Sequence, residues 1–198
     1  MRLIESFKKK KLILFNIFLT LYVGINLLGG ERGLVSYFEK KKLSLIYFFR
    51  GIAREQLDNY EQSMMDLRKA LEFVPEQPQV LNYLGYSWLE RGYKIKEAID
   101  MLDNAYNQKK NDPYIIDSVG WGYYLIGDFI NAEIFLRKAI QLMPKDPIVN
   151  DHYGDVLWML NRKIQARYFW NNALKQEDTE KEMKKKIEEK LLNGISNL

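Results

Sequence analysis

Residues 82–92 read NYLGYSWLERG, and segments of similar composition follow at 115–129 (IIDSVGWGYYLIGDF) and 150–162 (NDHYGDVLWMLNR). Each segment places a glycine among aromatic and aliphatic side chains. Large apolar side chains bury one face of a helix, while a small residue between them lets a second helix approach closely. The three segments therefore predict three equivalent helices, each packed tightly against a partner helix.

Small residues recur along the chain with a single period. Four glycines lie 34, 35 and 34 residues apart, and two further series of small residues keep this spacing. The series are Gly51, Gly85, Gly120 and Gly154; Ala70, Ala105, Ala139 and Ala173; and Ser63, Ala98, Ala132 and Ala166. A period of this length, carried by small residues, predicts repeated helical hairpins that stack side by side.

The repeat divides most of the chain into hairpins. The predicted segments are 44–77, 78–112, 113–146 and 147–178, followed by a capping helix at 179–198. The first hairpin is the most divergent, because Arg50, Arg54 and Ser63 stand where apolar or small residues are usual. In the last segment, Thr179 and Glu182 have the spacing of a capping box, and Gly194 is placed to end the helix.

This spacing and residue set resemble the tetratricopeptide repeat (TPR) family across residues 44–178. The quoted segments resemble, more narrowly, the C-terminal arrays of bacterial and especially alphaproteobacterial TPR proteins. The resemblance implies an all-α fold, an α-solenoid of about four helix-turn-helix hairpins with a C-terminal capping helix. It also implies that the first helix of each hairpin lines a concave groove.

The N-terminal region has a different composition. Residues 12–28 read LILFNIFLTLYVGINLL without a charge and follow four lysines at 8–11. We expect a basic flank at 1–11, one transmembrane helix at 12–30 and a juxtamembrane linker at 31–43, because about 20 apolar residues span a bilayer. The main alternative is a cleavable secretory signal, but no A-x-A cleavage site follows. The lysines favour a cytoplasmic N-terminus, hence a single-pass protein of the bacterial inner membrane with periplasmic repeats.

Residues 21–24 (LYVG) and 30–37 (GERGLVSY) resemble the start of the septum formation initiator family, which comprises small bacterial division proteins with one membrane span. The similarity covers about residues 1–40. Members of that family continue into a coiled coil, whereas the heptad pattern of a coiled coil is missing after residue 42. The resemblance implies an anchored structural component of cell division as an alternative function.

Charge and composition exclude several functions. Residues 1–42 carry nine Lys/Arg and three Asp/Glu, whereas residues 43–178 carry sixteen and nineteen, so the repeats lack the basic surface that binds nucleic acid. The chain has no cysteine and one histidine, His152, which we interpret as a hydrogen-bonded packing residue. We read Asp151 and Asp155 as a solvated or peptide-facing pair. We therefore predict no enzyme activity, metal or cofactor.

The repeat phase identifies the residues of the expected groove. They are Asn82, Tyr86, Glu90, Asp117, Trp121, Tyr124, Asp151, Asp155 and Trp158. Aromatic faces accept cations and apolar side chains, and carboxylates favour Lys or Arg on a partner. The alternative is that Trp121 and Trp158 pack between hairpins. The sequence thus predicts a membrane-anchored scaffold or adaptor that binds a protein or peptide bearing basic and apolar residues, and it leaves the oligomeric state open.

Overall fold

The computed structural model describes residues 14–25, 27, 29 and 33–195, and over these residues the regular structure consists of ten α-helices. The chain divides into two compact units, Met1–Pro75 and Glu76–Leu198. Each unit is built from antiparallel helix pairs joined by short turns. The helical hairpins predicted from the repeat are present in both units.

The first unit contains the first hairpin. Residues 14–25 are helical (α1), α2 covers Leu34–Gln56, and α3 covers Tyr60–Phe73. Helix α2 begins well before residue 44, so most of the segment expected to be a linker is helical. The buried Ser44 hydroxyl donates a hydrogen bond to the carbonyl of Ala70, 2.9 Å away, which ties α2 to α3.

The predicted transmembrane helix at 12–30 is wrong. Among the residues described, no helix is both long enough and apolar enough to cross a bilayer. The predicted localisation, that of a single-pass protein of the bacterial inner membrane, depended on this helix and is therefore wrong as well. The predicted basic flank at 1–11 lies outside the described residues.

The second unit contains three hairpins and a final helix. The helices are α4 (Pro78–Glu90), α5 (Ile95–Gln108), α6 (Pro113–Leu125), α7 (Phe129–Leu142), α8 (Pro147–Met159), α9 (Lys163–Leu174) and α10 (Lys181–Asn193). The pairs α4–α5, α6–α7 and α8–α9 are the three hairpins. The first helix of each hairpin starts with a proline, whose fixed φ suits the first helical position and whose missing N–H is not needed there.

Aspartates cap two of these first helices. The Asp112 carboxylate accepts hydrogen bonds from the backbone N–H groups of Tyr114 and Ile115, and Asp146 accepts those of Ile148 and Val149. These N–H groups have no partner within the helix, and satisfying them typically stabilises a helix by about 1 kcal/mol. The motif Asp-Pro therefore fixes where α6 and α8 begin.

The small-residue series packs the two helices of each hairpin together. Ser63, Ala98, Ala132 and Ala166 are fully buried, as are the four alanines of the companion series. A Cβ added at Gly85 would lie 2.8 Å from the carbonyl oxygen of Ala98, which is backbone and cannot easily move. Small residues therefore recur about every 34 residues because each hairpin needs them where its two helices are in close contact.

We expect Gly85→Ala to destabilise the second unit more than Gly122→Ala, its matched control. At Gly122 an added Cβ would meet only the methyl groups of Leu89 and Leu102, at 3.0 and 3.1 Å. Both alanines gain the same helix propensity, about 1 kcal/mol. Because overpacking against backbone costs about 1–3 kcal/mol, we expect urea denaturation to show a difference of about 1–2 kcal/mol between the variants. Equal stabilities would contradict the close contact at Gly85.

Candidate peptide-binding groove

The first helices of the three hairpins in the second unit line a cavity of about 340 Å³. Its walls come from α4, α6 and α8 and from the N-cap of α8. The lining residues are Asn82, Tyr83, Tyr86, Tyr114, Asp117, Ser118, Asp146, Ile148, Val149 and His152. Three residues predicted from the repeat phase, Asn82, Tyr86 and Asp117, are among them.

A stack of rings next to this cavity connects the three first helices. The Trp121 indole lies between the Tyr124 ring, 4.5 Å away, and the His152 ring, 4.0 Å away, with nearly parallel planes. The Trp121 Nε1–H donates a hydrogen bond to Glu90 of α4. The predicted groove residues Glu90, Trp121 and Tyr124 are thus brought together, and Trp121 packs between hairpins, as the alternative interpretation held.

His152 is buried and paired with a carboxylate. Its Nδ1 lies 3.1 and 3.0 Å from the two carboxylate oxygens of Asp117, one repeat earlier. Burial alone would lower the pKa of His152, but the charge of Asp117, its hydrogen bond and the charges of Asp151 and Asp155 together raise it. The imidazole therefore holds its proton to a higher pH than a free histidine does.

The C-terminal helix contacts the acidic end of the predicted groove. The Lys190 ammonium of α10 lies 2.7–2.8 Å from all four carboxylate oxygens of Asp151 and Asp155. Asp155 also accepts a hydrogen bond from Trp170 Nε1, 2.8 Å away. Burial, followed by repulsion from Asp151, raises the pKa of Asp155 to about 6. One ammonium is therefore shared by the buried carboxylate of Asp155 and the partly buried carboxylate of Asp151.

Trp158 contacts the chain end that follows α10. Its Nε1–H donates to the carbonyl oxygen of Ile195 at 3.2 Å. Gly194 has φ of 74°, and a Cβ there would collide with the Trp158 ring. The Lys163 ammonium and the Arg167 guanidinium lie over the indole, 5.0 and 5.2 Å from the ring centre. The segment from Lys190 to Ile195 thus contacts Asp151, Asp155 and Trp158.

Sequence reasoning missed two of these partners. His152 was expected to form a hydrogen bond, but Asp117 was not identified as the acceptor, and Lys190 was not assigned any role. A signal was available, because Asp117 and His152 are 35 residues apart and so are Asp155 and Lys190. Helix α10 therefore continues the phase of the repeat, as the first helix of a further hairpin would. That the nine predicted groove residues contact a partner stays a prediction.

Two features of the cavity bear on what could bind there. Burial, followed by the charges of Glu90 and Asp117, raises the pKa of Tyr86 well above its usual value. The Asn82 Oδ1 atom is buried and has no hydrogen-bond partner among the described residues. An unsatisfied buried acceptor costs about 1–3 kcal/mol, so a ligand N–H that reached it would be favoured.

The helix pairs, their period and the lining of the cavity by first helices define a helical-repeat protein with the TPR fold. No protein-family model matches the chain. The chain is similar to TPR repeat-containing protein PA4667 of Pseudomonas aeruginosa, with 34% identity over 125 residues, which are 63% of this chain and 20% of that protein. This likeness supports the TPR family, and the septum-initiator resemblance has no counterpart in it.

Solved structures show the same fold. That of pilF from Pseudomonas aeruginosa has a TM-score of 0.64 and 18% identity, and covers 81% of this chain and 80% of its own. That of a thermophilic TPR protein from Thermus thermophilus has a TM-score of 0.53 and 16% identity, and covers 75% and 99%. This fold is typical of protein–protein interaction scaffolds. The chain spans a fifth or less of the length of the curated relatives that it matches.

We expect the free energy of unfolding to fall as pH rises through two windows. The folded-state pKa values of Asp155 and His152 are both raised, so between the unfolded and folded values the folded protein binds more protons. Asp155 lowers the free energy of unfolding as pH rises from about 4 to its folded-state pKa of about 6. His152 lowers the free energy of unfolding as pH rises above about 6.5. Each full proton corresponds to about 1.4 kcal/mol per pH unit.

The measurement is urea denaturation as a function of pH for wild type, Asp155→Asn and His152→Gln. Asp155→Asn should flatten the profile below pH 6 and leave the upper part unchanged, and His152→Gln should do the reverse. Profiles of both variants that ran parallel to that of wild type would contradict the assignment.

Proposed function

We propose that this protein is a scaffold that binds a segment of another protein, bearing basic and apolar residues, in the cavity between α4, α6 and α8. The observation that carries the proposal is the cavity itself, which spans three consecutive first helices and combines aromatic walls with acidic groups. Binding would be non-covalent, with no bond broken. The TPR fold supports a protein partner, because helical repeats present extended concave surfaces along which a segment of another polypeptide can bind.

The walls of the cavity suit side chains of two kinds. Tyr83, Tyr86 and Tyr114 offer ring faces, and Ile148 and Val149 offer aliphatic surface. Such surfaces favour aliphatic or aromatic residues of a partner, since each buried apolar Å² stabilises by roughly 25 cal/mol. Tyrosine faces also accept Lys and Arg through cation–π attraction.

Charge favours a basic partner over an acidic one. Glu90 is exposed beside the cavity, and the charges of Glu90 and Asp117 add to the effect of burial, which raises the pKa of Tyr86. Asn82 adds an acceptor that lacks a partner among the residues described. A Lys, an Arg or a backbone N–H of the partner can donate to these acceptors, whereas a carboxylate would be repelled.

The position of the C-terminal segment narrows the binding surface. Asp151, Asp155 and Trp158 already contact Lys190, Gly194 or Ile195, so the accessible part of the groove is the cavity toward α4. We therefore place the partner on Asn82, Tyr86 and the exposed rings around them. The alternative role in cell division rested on the anchored leader, and no observation favours it.

The cavity has two exposed residues whose removal should weaken binding without unfolding the protein. Tyr114 is 65% exposed and Ile148 is 50% exposed. Tyr168 (61%) and Ile130 (65%), on second helices, are matched controls of the same residue types. Peptides selected from a displayed random library against wild type should be rich in Lys, Arg and large apolar residues. We expect Tyr114→Ala with Ile148→Ala to raise the Kd of such a peptide at least tenfold, by about 1.4 kcal/mol or more.

Isothermal titration calorimetry measures the Kd for each variant. The control variant Ile130→Ala with Tyr168→Ala should stay within about twofold of wild type, a difference below about 0.5 kcal/mol. The proposal fails if selection yields no binding peptide, or if the two double variants lose affinity equally.

A further inference from the structure

An ion-pair cluster replaces apolar contacts in the first hairpin. The Arg50 Nε and Nη2 atoms each donate to one carboxylate oxygen of Asp66 at 2.7 Å, and Arg54 Nη1 donates to the same carboxylate at 2.6 Å. One repeat later, these three positions hold Leu84, Trp88 and Met101. The arginines that made this hairpin look divergent therefore have a common partner, which the sequence analysis did not identify.

Equivalent positions in the second unit face the preceding hairpin. Val119 and Tyr123, the counterparts of Arg50 and Arg54 in α6, lie across a small cleft from Ile99, Leu102 and Asp103 of α5. The counterpart of Asp66 is Phe135, whose ring packs edge-on against Tyr106 of α5 with centroids 5.2 Å apart. The repeat thus uses these three positions to contact a helix that precedes the hairpin.

In the first hairpin the same face forms a cavity of about 350 Å³, which we call the arginine edge. Its lining residues are Tyr47, Arg50, Arg54, Gln62, Met65, Asp66 and Lys69. The Asp66 side chain is only 4% exposed, whereas that of Arg50 is 48% exposed and that of Arg54 is 29% exposed. The surface presented to solvent is therefore cationic, with the exposed Met65 beside it.

The guanidinium groups retain capacity for another acceptor. Each carries five N–H donors, and Arg50 uses two of them for Asp66. Asp66 neutralises one of the two arginine charges. Arg50 also lies over the Tyr47 ring, 4.8 Å from its centre, which holds the guanidinium in place. A second carboxylate can thus form a charge-assisted hydrogen bond with a group that is already oriented.

We propose that the arginine edge docks an acidic helical segment of a partner protein. The occupant is helical because a helix covers the equivalent positions of the third hairpin. It is acidic because two arginines share one carboxylate, and covering them with an apolar surface would bury a net positive charge that has no counter-charge. This surface is separate from the cavity between α4, α6 and α8, and its proposed ligand has the opposite charge.

Two synthetic helical peptides test the proposal. One carries glutamates at i and i+4 beside leucines, and the other carries glutamines at the glutamate positions. We expect fluorescence anisotropy to show that the full chain binds the glutamate peptide at least tenfold more tightly, with a preference that weakens as salt is added. Equal affinity for the two peptides, or binding of neither, overturns the proposal.

A triple variant removes the charges while keeping the fold. Arg50→Leu, Arg54→Leu and Asp66→Met introduce the residue types found at Leu84, Leu157 and Met101, where hairpins of this chain already accept them. Circular dichroism and thermal unfolding should show a folded protein, because apolar residues of similar size commonly replace ion pairs without loss of stability. The preference for the glutamate peptide should disappear. A folded triple variant that keeps the preference overturns the proposal.

Two further measurements separate this surface from others. Tyr114→Ala with Ile148→Ala, which alters the other cavity, should leave the affinity for the glutamate peptide unchanged, and a matching loss would assign that peptide to the groove. Sedimentation of the chain alone should be the same for wild type and the triple variant. A wild-type dimer that the triple variant abolishes would identify the occupant as a second copy of this chain and overturn the proposal.

Discussion

Each hairpin of the second unit depends on a glycine in its first helix, because the missing side chain lets the backbone or a large side chain of the second helix come close to the first helix. At Gly85 the backbone of α5 is so close that even a methyl group would collide with the Ala98 carbonyl. At Gly154 the same closeness brings Trp170 of α9 against the helix backbone. Close packing of this kind maximises dispersion contacts and excludes water, so the apolar surface of each pair is buried without voids. The period of the sequence follows from the recurrence of this contact.

Polar contacts between successive first helices follow from the same spacing. Once the helices are close, a carboxylate on the inner face is buried, and a buried charge is costly unless a partner of opposite charge is near. The fold supplies such partners one repeat away, where His152 meets Asp117 and Lys190 meets Asp155. The first helices and α10 are therefore held together by ionic and aromatic contacts. The part of the inner face that stays open is the cavity between α4, α6 and α8.

The hairpins could be predicted from the sequence because a small residue at a helix contact is a strict geometric requirement that leaves a periodic trace. The partners of Asp66 leave no such trace, because a carboxylate at that position can pair with arginines or be exposed to solvent, and the difference depends on its neighbours in space. Thr179 illustrates this: its hydroxyl donates to the Ala173 carbonyl, 2.6 Å away, and Glu180 occupies the N-cap of α10. The transmembrane prediction failed for another reason. Apolar composition over 12–28 measures the preference of side chains for lipid, whereas a membrane span also requires a helix of sufficient length, and no helix among the described residues meets both requirements.

Repeats of one fold can change the chemistry of a contact only when the positions on both sides change together. Introducing Asp66, whose side chain is only 4% exposed, opposite an apolar residue would bury an unpaired charge, which is costly. Introducing Arg50 with it converts the contact from apolar to ionic and keeps the hairpin. The two kinds of contact differ in what they accept from outside, because an apolar face gains by burial against any apolar neighbour, whereas an ionic face gains only from solvent or an opposite charge. When the residues on both sides of such a contact differ jointly from their counterparts in other repeats, they therefore indicate which surface of a hairpin has a different neighbour. The spacing of the small residues alone does not give this information.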